Sequence, residues 1–251
     1  MADTTAQGRI NALANPTRFL ELAGRILPWL GGAALLVTLA GLAMGFAAPE
    51  DYQQGSTVRI MYIHVPFAWI SMMCYTLMAV AALGTLVWKH PLADVALKAA
   101  APIGAVFTAL ALATGSIWGR PMWGTWWVWD GRLTSMLVLL FLYFGYIALT
   151  GALAREGAST RIAAIFGLVG AINIPIINRS VVWWNSLHQP PSLTMGNSAI
   201  DPVYLYPLAG STLGFSLLFG AVVLMRMRTI LADAQAEARL RRKAMAVEEI
   251  F

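Results

Sequence analysis

Two histidines and one run of tryptophans carry the residue types in this chain that could do chemistry. His64 sits in Met61-Tyr-Ile-His-Val-Pro66 and His188 in Trp183-Trp-Asn-Ser-Leu-His-Gln-Pro190. Between them lies Trp118-Gly-Arg-Pro-Met-Trp-Gly-Thr-Trp-Trp-Val-Trp-Asp-Gly-Arg132, which holds Trp118, Trp123, Trp126, Trp127 and Trp129, five of the chain's ten tryptophans. An indole is favourable to bury, but its N–H wants a polar partner, so such side chains collect at membrane–water boundaries and on flat surfaces that receive planar ligands. An aromatic belt spreads its tryptophans among many helix ends. Five within twelve residues, closed by Asp130 and Arg132, exceed a belt. A neutral imidazole is the commonest metal ligand among side chains, although a lone histidine at a helix end is more often structural, and it is two on one face that point to a shared site.

The elements that must position these residues are membrane helices. The chain is 59% hydrophobic and 12% charged, against about 25% charged in soluble domains, which defines an all-α polytopic membrane protein. Six apolar runs, near 28–47, 62–88, 99–118, 133–153, 162–178 and 207–225, approach or exceed the ~20 residues a spanning helix needs. The fifth is the shortest and contains Asn173, Pro175 and Asn178. The first is longer than the apolar core of a signal peptide and reads as an uncleaved anchor. Residues 1–27 form an N-terminal segment in which Asn15-Pro16 offers a helix cap and Phe19, Leu20, Leu22, Ile26 and Leu27 recur at helical spacing. A short helix on the membrane surface, or a loosely held tail, fits that pattern. Residues 28–225 form the six-span domain, and 226–251 extend the last helix as a solvated or docking segment. Gly41-x-x-x-Gly45 and Gly210-x-x-x-Gly214 permit close helix contact without saying between which helices.

Lysine and arginine set the orientation. With the N-terminus inside, thirteen of the seventeen fall in the cytoplasmic pieces 1–27, 89–98, 154–161 and 226–251. The opposite side holds Arg59, Arg120, Arg132 and Arg179. The positive-inside rule then puts both termini in the cytoplasm and the segments 48–61, 119–132 and 179–206 outside, in the periplasm of a Gram-negative cell. The net charge of +5 reports this orientation and not a nucleic-acid partner.

The outer segments therefore gather His64, His188 and the tryptophans at one depth, with no cysteine and with Glu50, Asp51, Asp130 and Asp201 as the only acids. Structural zinc asks for four ligands and catalytic zinc for three. Two histidines suffice for an iron whose other four positions belong to a porphyrin. That flat apolar disc, with two carboxylates on one edge, needs aromatic walls and a few cations, and a guanidinium can hold a carboxylate bidentately. Asp130 either caps the fourth span, orients a neighbour in the site, or does both. Met122, Met195 and the Met72–Met73 pair read as packing residues, as does Cys74, the single cysteine, which leaves no disulfide or CxxCH attachment site. His90, beside Lys89 and Pro91, reads as a solvated turn residue.

Trp123-Gly-Thr-Trp-Trp-Val-Trp-Asp-Gly-Arg132 resembles the "WWD" motif of haem-handling membrane proteins, and His64-Val-Pro66 with Trp183-Trp-Asn-Ser-Leu-His-Gln189 resemble the flanking motifs of the cytochrome c maturation protein C family. The likeness covers roughly residues 20–225. It implies haem b bound at the periplasmic face of the bacterial inner membrane between His64 and His188, with Trp118–Asp130 contacting the porphyrin and an incoming partner. Arg59, Arg120, Arg132, Arg179, Trp183 and Trp184 complete the expected site. The implied partners are a periplasmic haem chaperone, which becomes covalently linked to the haem through a vinyl group, the membrane and ATPase subunits of an ATP-binding-cassette transporter, and a small single-span subunit. A haem transporter is the alternative. It would place strongly polar residues deep in several spans, and the spans hold few. No ATPase or hydrolase motif is present, which leaves open whether the attachment is catalysed or only templated.

Overall fold

The computed structural model describes residues 15–184, 186–188, 192–194 and 197–248. Among the described residues, six helical segments are long and apolar enough to cross a membrane: Pro16–Ala47, Ser56–Trp88, Pro91–Trp123, Gly131–Arg155, Arg161–Trp183 and Pro202–Met245. The protein is thus an all-α multi-pass membrane protein.

Helix α1 (Pro16–Ala47) opens on the expected cap. Asn15 Oδ1 accepts the N–H groups of Thr17 at 2.9 Å and Arg18 at 3.4 Å, and Pro16 takes the first position, where no N–H is needed. Instead of forming a separate surface helix, this segment continues through Pro28 into the first span. Membrane helices tolerate an internal proline where a neighbour supports them. Here the neighbour is α7 (Pro202–Glu248): on the two sides of Pro28, a Cβ on Gly24 would lie 3.6 Å from Arg228 Nη2, and one on Gly220 would lie 3.9 Å from Leu30 Cδ2. Higher up, the two glycine motifs meet each other. A Cβ on Gly41 would lie 2.3 Å from Ser211 N, and one on Gly214 would lie 2.5 Å from Thr38 Cα, so backbone packs on backbone.

Helix α2 (Met61–Trp88), led in by a 3₁₀ turn at Ser56–Ile60, packs with α3 (Pro91–Trp123) and α4 (Gly131–Arg155) around the deepest core. Ala99, Ala100, Ala101 and Gly104 keep α3 narrow enough for Ile70, Tyr75, Met78, Leu139 and Tyr143 to close over it. The Tyr143 hydroxyl donates to Ser71 C=O at 2.7 Å, and Cys74 is a buried packing residue whose thiol donates to Ala100 C=O. Met72 and Met73 pack against the same core. Met195 lies outside the described residues.

The fifth span is two helices, α5 (Arg161–Gly170) and α6 (Asn173–Trp183). Pro175 has no N–H to continue the ladder, and Ala171, Ile172 and Ile174 turn to bonds three residues back. Asn173 sews the break to α4 by donating Nδ2–H to Ser135 C=O at 2.9 Å. The span therefore reaches Trp183, beyond the expected end at residue 178. Likewise α3 outruns its apolar stretch and closes at Gly124, whose φ of 75° suits glycine. The loop holding the tryptophans shrinks to 124–130, with Trp118 and Trp123 on the helix itself. Two short strands, β1 (Leu193–Thr194) and β2 (Asn197–Ser198), pair antiparallel before α7.

Candidate functional site

His64 is in the first turn of α2. Its Nδ1 lies 3.1 Å from Thr114 Oγ1 on α3, and that hydroxyl also approaches Leu110 C=O at 2.7 Å. A carbonyl only accepts, so the single hydroxyl hydrogen belongs to Leu110. Thr114 therefore accepts from His64 Nδ1–H, which leaves the imidazole lone pair on Nε2. Gly115 makes room for the ring: a Cβ there would sit 2.9 Å from His64 Cε1. Trp118, one turn on, meets the ring edge-on at 5.6 Å between centroids. The indole is held in turn, its N–H donating to Gln54 Oε1 at 3.1 Å. Gln54 is set by a tight turn in which Asp51 Oδ1 accepts the N–H groups of Gln53 and Gln54, with Gly55 at φ 57°.

His188 is held from the opposite side of the tryptophan loop. Asp130 caps α4, its Oδ1 accepting Leu133 N–H at 2.7 Å. Its other oxygen, Oδ2, lies 2.8 Å from His188 Nδ1 and accepts the Ser186 hydroxyl at 2.5 Å. Ser186 Oγ also accepts His188 N–H at 3.1 Å, closing the turn. Capping and orienting, set out as alternatives for Asp130, coexist on its two oxygens. Burial pushes the Asp130 carboxyl up, but hydrogen bonds from Ser186, Leu133 N–H and His188 outweigh it and leave the group below its ordinary value. Burial pushes His188 down, Asp130 pulls it back, and Arg132 adds to the fall; the net is a pKa below 6.5. The ring is therefore neutral near pH 7, with its proton on Nδ1 toward the carboxylate and its lone pair on Nε2. The His188 ring meets Trp123 edge-on at 4.8 Å.

Both imidazoles thus lean on the same end of α3, one on Trp118 and the other on Trp123, and the fields of His188 and Arg132 reach His64. Trp127 and Trp129 stack edge-on at 5.4 Å, as do Trp183 and Trp184 at 5.9 Å. Trp184 lies against Gly131, where a Cβ would be 2.8 Å from its ring. Trp126, Trp129, Trp183 and Trp184 are exposed. The arginines divide. Arg59 and Arg132 each bury an Nε, and Trp127 an indole N–H, with no partner among the described residues. The Arg120 guanidinium donates to Gly124 C=O and so caps its own helix, while Arg179 is exposed on α6. His90 occupies the cap position of α3 without a capping hydrogen bond.

Sequence reading missed Gln54, Thr114 and Ser186. They are common residue types whose partners lie far off in the chain, apart from the Ser-x-His spacing of 186 and 188. Among the described residues no three His, Cys, Asp or Glu side chains converge as a metal-binding group. A metal between these histidines would take most of its ligands from elsewhere, as a porphyrin provides. Two Nε2 lone pairs, two buried unpartnered guanidinium nitrogens and the indole walls fit that group.

The architecture defines a six-span helical membrane protein with a histidine and tryptophan site at one end of its bundle. The chain belongs to the CcmC family, described as heme exporter protein C, which it matches over residues 9–242. It is 58% identical over 217 residues to a protein named heme exporter protein C from Bradyrhizobium diazoefficiens, covering 86% of this chain and 82% of that one. It is 52% identical over 223 residues to the protein of that name from Escherichia coli K12, covering 88% and 90%. With that from Paracoccus denitrificans it shares 44% identity over 232 residues, covering 92% and 96%.

Proposed function

We propose that this site binds haem b between the Nε2 atoms of His64 and His188 and presents it to a periplasmic haem chaperone during c-type cytochrome biogenesis. The observation that carries this reading is the pair of imidazoles at one helix end, each with Nδ1–H spent on a protein acceptor. A haem held here would supply an iron for His64 and His188 to hold and a vinyl group open to covalent attachment. Arg59 and Arg132 take the propionates, which answer their unpartnered nitrogens with charge-assisted hydrogen bonds. Trp118 and Trp123 brace the two ligand rings. The exposed Trp126, Trp129, Trp183 and Trp184 form the surface on which the chaperone docks.

In this reading the site faces the periplasm across the bacterial inner membrane, and both termini are cytoplasmic. The chain works beside the membrane and ATPase subunits of an ATP-binding-cassette transporter and a small single-span subunit. The name of its relatives, heme exporter protein C, also suits a subunit that itself moves haem. Against a conduit acting alone stands the core of α2–α4, closed by alanines, Leu139 and Tyr143. The full-length protein purified in detergent should show a b-type spectrum when oxidised and reduced, and His64→Ala with His188→Ala should abolish it. Unchanged haem binding in the double variant removes the ligand assignment. Haem movement in proteoliposomes without partners revives the conduit.

A further inference from the structure

The two histidines are held by unlike acceptors. His188 gives its Nδ1–H to a carboxylate at 2.8 Å, and His64 gives its own to a neutral hydroxyl at 3.1 Å. Hydrogen bonds to an ionised acceptor are shorter and about twice as strong as neutral ones. A carboxylate behind an imidazole also raises the basicity of the ring nitrogen that faces the metal. The carboxylate is itself fixed, by Leu133 N–H on one oxygen and the Ser186 hydroxyl on the other. Because Ser186 spends its hydrogen on Asp130 at 2.5 Å, it cannot also donate to His188 Nδ1, and the imidazole proton faces Asp130 Oδ2 at 2.8 Å with Ser186 Oγ as a longer second acceptor at 3.2 Å. On the other side Thr114 brings no charge, and the neutral Ala111 backbone, the edge of Trp118 and the gap at Gly115 complete the surroundings of His64.

We propose, resting on the haem reading above, that the two histidines would hold the group with unequal strength by construction. Asp130 and Ser186 are positioning residues that make His188 the retained ligand, while Thr114 leaves His64 as the ligand that yields to an incoming donor. An incoming donor's lone pair would take the place of His64 Nε2, a substitution that moves no electron and leaves His64 neutral. Presentation would then have a direction, with the His64 side opening to the partner while His188 keeps its hold.

The test uses the full-length protein loaded with haem b in detergent, reduced and exposed to carbon monoxide as the incoming ligand. The Fe–C and C–O vibrations of the adduct read the donor strength of whichever histidine remains opposite. The expected signature is that of a carboxylate-bonded histidine. Asp130→Asn and Ser186→Ala should move it toward a neutral imidazole, while Thr114→Val and His64→Gly leave it in place and His188→Gly changes it. Asp130→Asn keeps the α4 cap, since asparagine also accepts Leu133 N–H, and should cost about 10–100-fold in haem affinity. If Thr114→Val and His64→Gly move the signature while Asp130→Asn does not, the retained ligand is His64 and the proposal is overturned. Equal responses on both sides overturn it as well. A wild-type protein that takes up no haem fails earlier, at the reading on which the proposal rests.

Discussion

The ring of His64 fills the space that a side chain on Gly115 would need, with Cε1 2.9 Å from where that Cβ would be. The glycine sits inside α3, where it gives up about 0.5–1 kcal/mol of helix stability relative to alanine, so room for the imidazole is maintained against local preference. Gly115→Ala should therefore leave the fold as stable or slightly more so, yet push the ring away from Thr114. Haem affinity should fall about tenfold, the low end of what loss of a supporting contact costs a metal site. Paired measurements of apparent melting temperature and haem titration separate the two effects. Equal affinity in the variant would show that the ring has slack.

Trp118 is fixed from a loop 64 residues away, its N–H on Gln54 Oε1. Gln54→Leu strands that N–H in a half-buried position. The expected cost is about 1–3 kcal/mol, the penalty for an unsatisfied buried donor. Trp118→Phe keeps an aromatic edge against His64 and removes the demand altogether. Combined with Gln54→Leu it should recover much of the loss. A melting series of the two single variants and the double checks this, and additive losses would mean that the hydrogen bond contributes nothing.

Much of this architecture was legible in the chain because it rests on local signals. Apolar runs, the Asn15-Pro16 cap, the Asp130 cap and the clustered indoles each show themselves within a few residues. What could not be read is long-range. Asp130 announces itself as a cap, but its second oxygen finds His188 only after α4 and the broken fifth span bring residue 188 back. Thr114 looks like any threonine bonding back into its own helix, and its value to His64 comes from the crossing of α2 and α3. The continuity of α1 through Pro28 was hidden for the same reason, since the neighbouring stretch of α7, Gly220 to Arg228, comes about 190 residues later in the chain.

The glycine pairs on α1 and α7 offer a graded test of packing. A Cβ on Gly41 would meet backbone atoms of Gly210 and Ser211 at 2.3–2.8 Å, which no rotamer change relieves. One on Gly210 would approach only Gly41 Cα, at 3.4 Å, and Gly31 and Gly32 have nothing within 4 Å. Gly41→Ala should thus cost about 1–3 kcal/mol as overpacking, Gly210→Ala little, and Gly31→Ala nothing. Detergent-resistant yield and melting temperature should follow that order. A tolerated Gly41→Ala would mean that α1 and α7 can part without loss.

Acid should loosen the His188 loop, and Asp130 sets how far. His188 lies below its ordinary 6.5 because burial disfavours the imidazolium and Arg132 adds to that, against the pull of Asp130. A group whose folded pKa is depressed contributes stability that is fully present above its unfolded value and fades as pH falls toward the folded one. The docked loop should therefore hold above pH 6.5 and weaken below it. Asp130, lowered beneath 3.8, adds a second loss only at stronger acid. In Asp130→Asn the group that pulls His188 upward is gone, so the imidazole should titrate lower still even as its orientation degrades. Nitrogen-15 spectra of the histidines in the haem-free protein, assigned with His188→Gln, read both values. A wild-type midpoint above 6.5 would mean that the carboxylate outweighs burial, and mild acid would then tighten the loop and not loosen it.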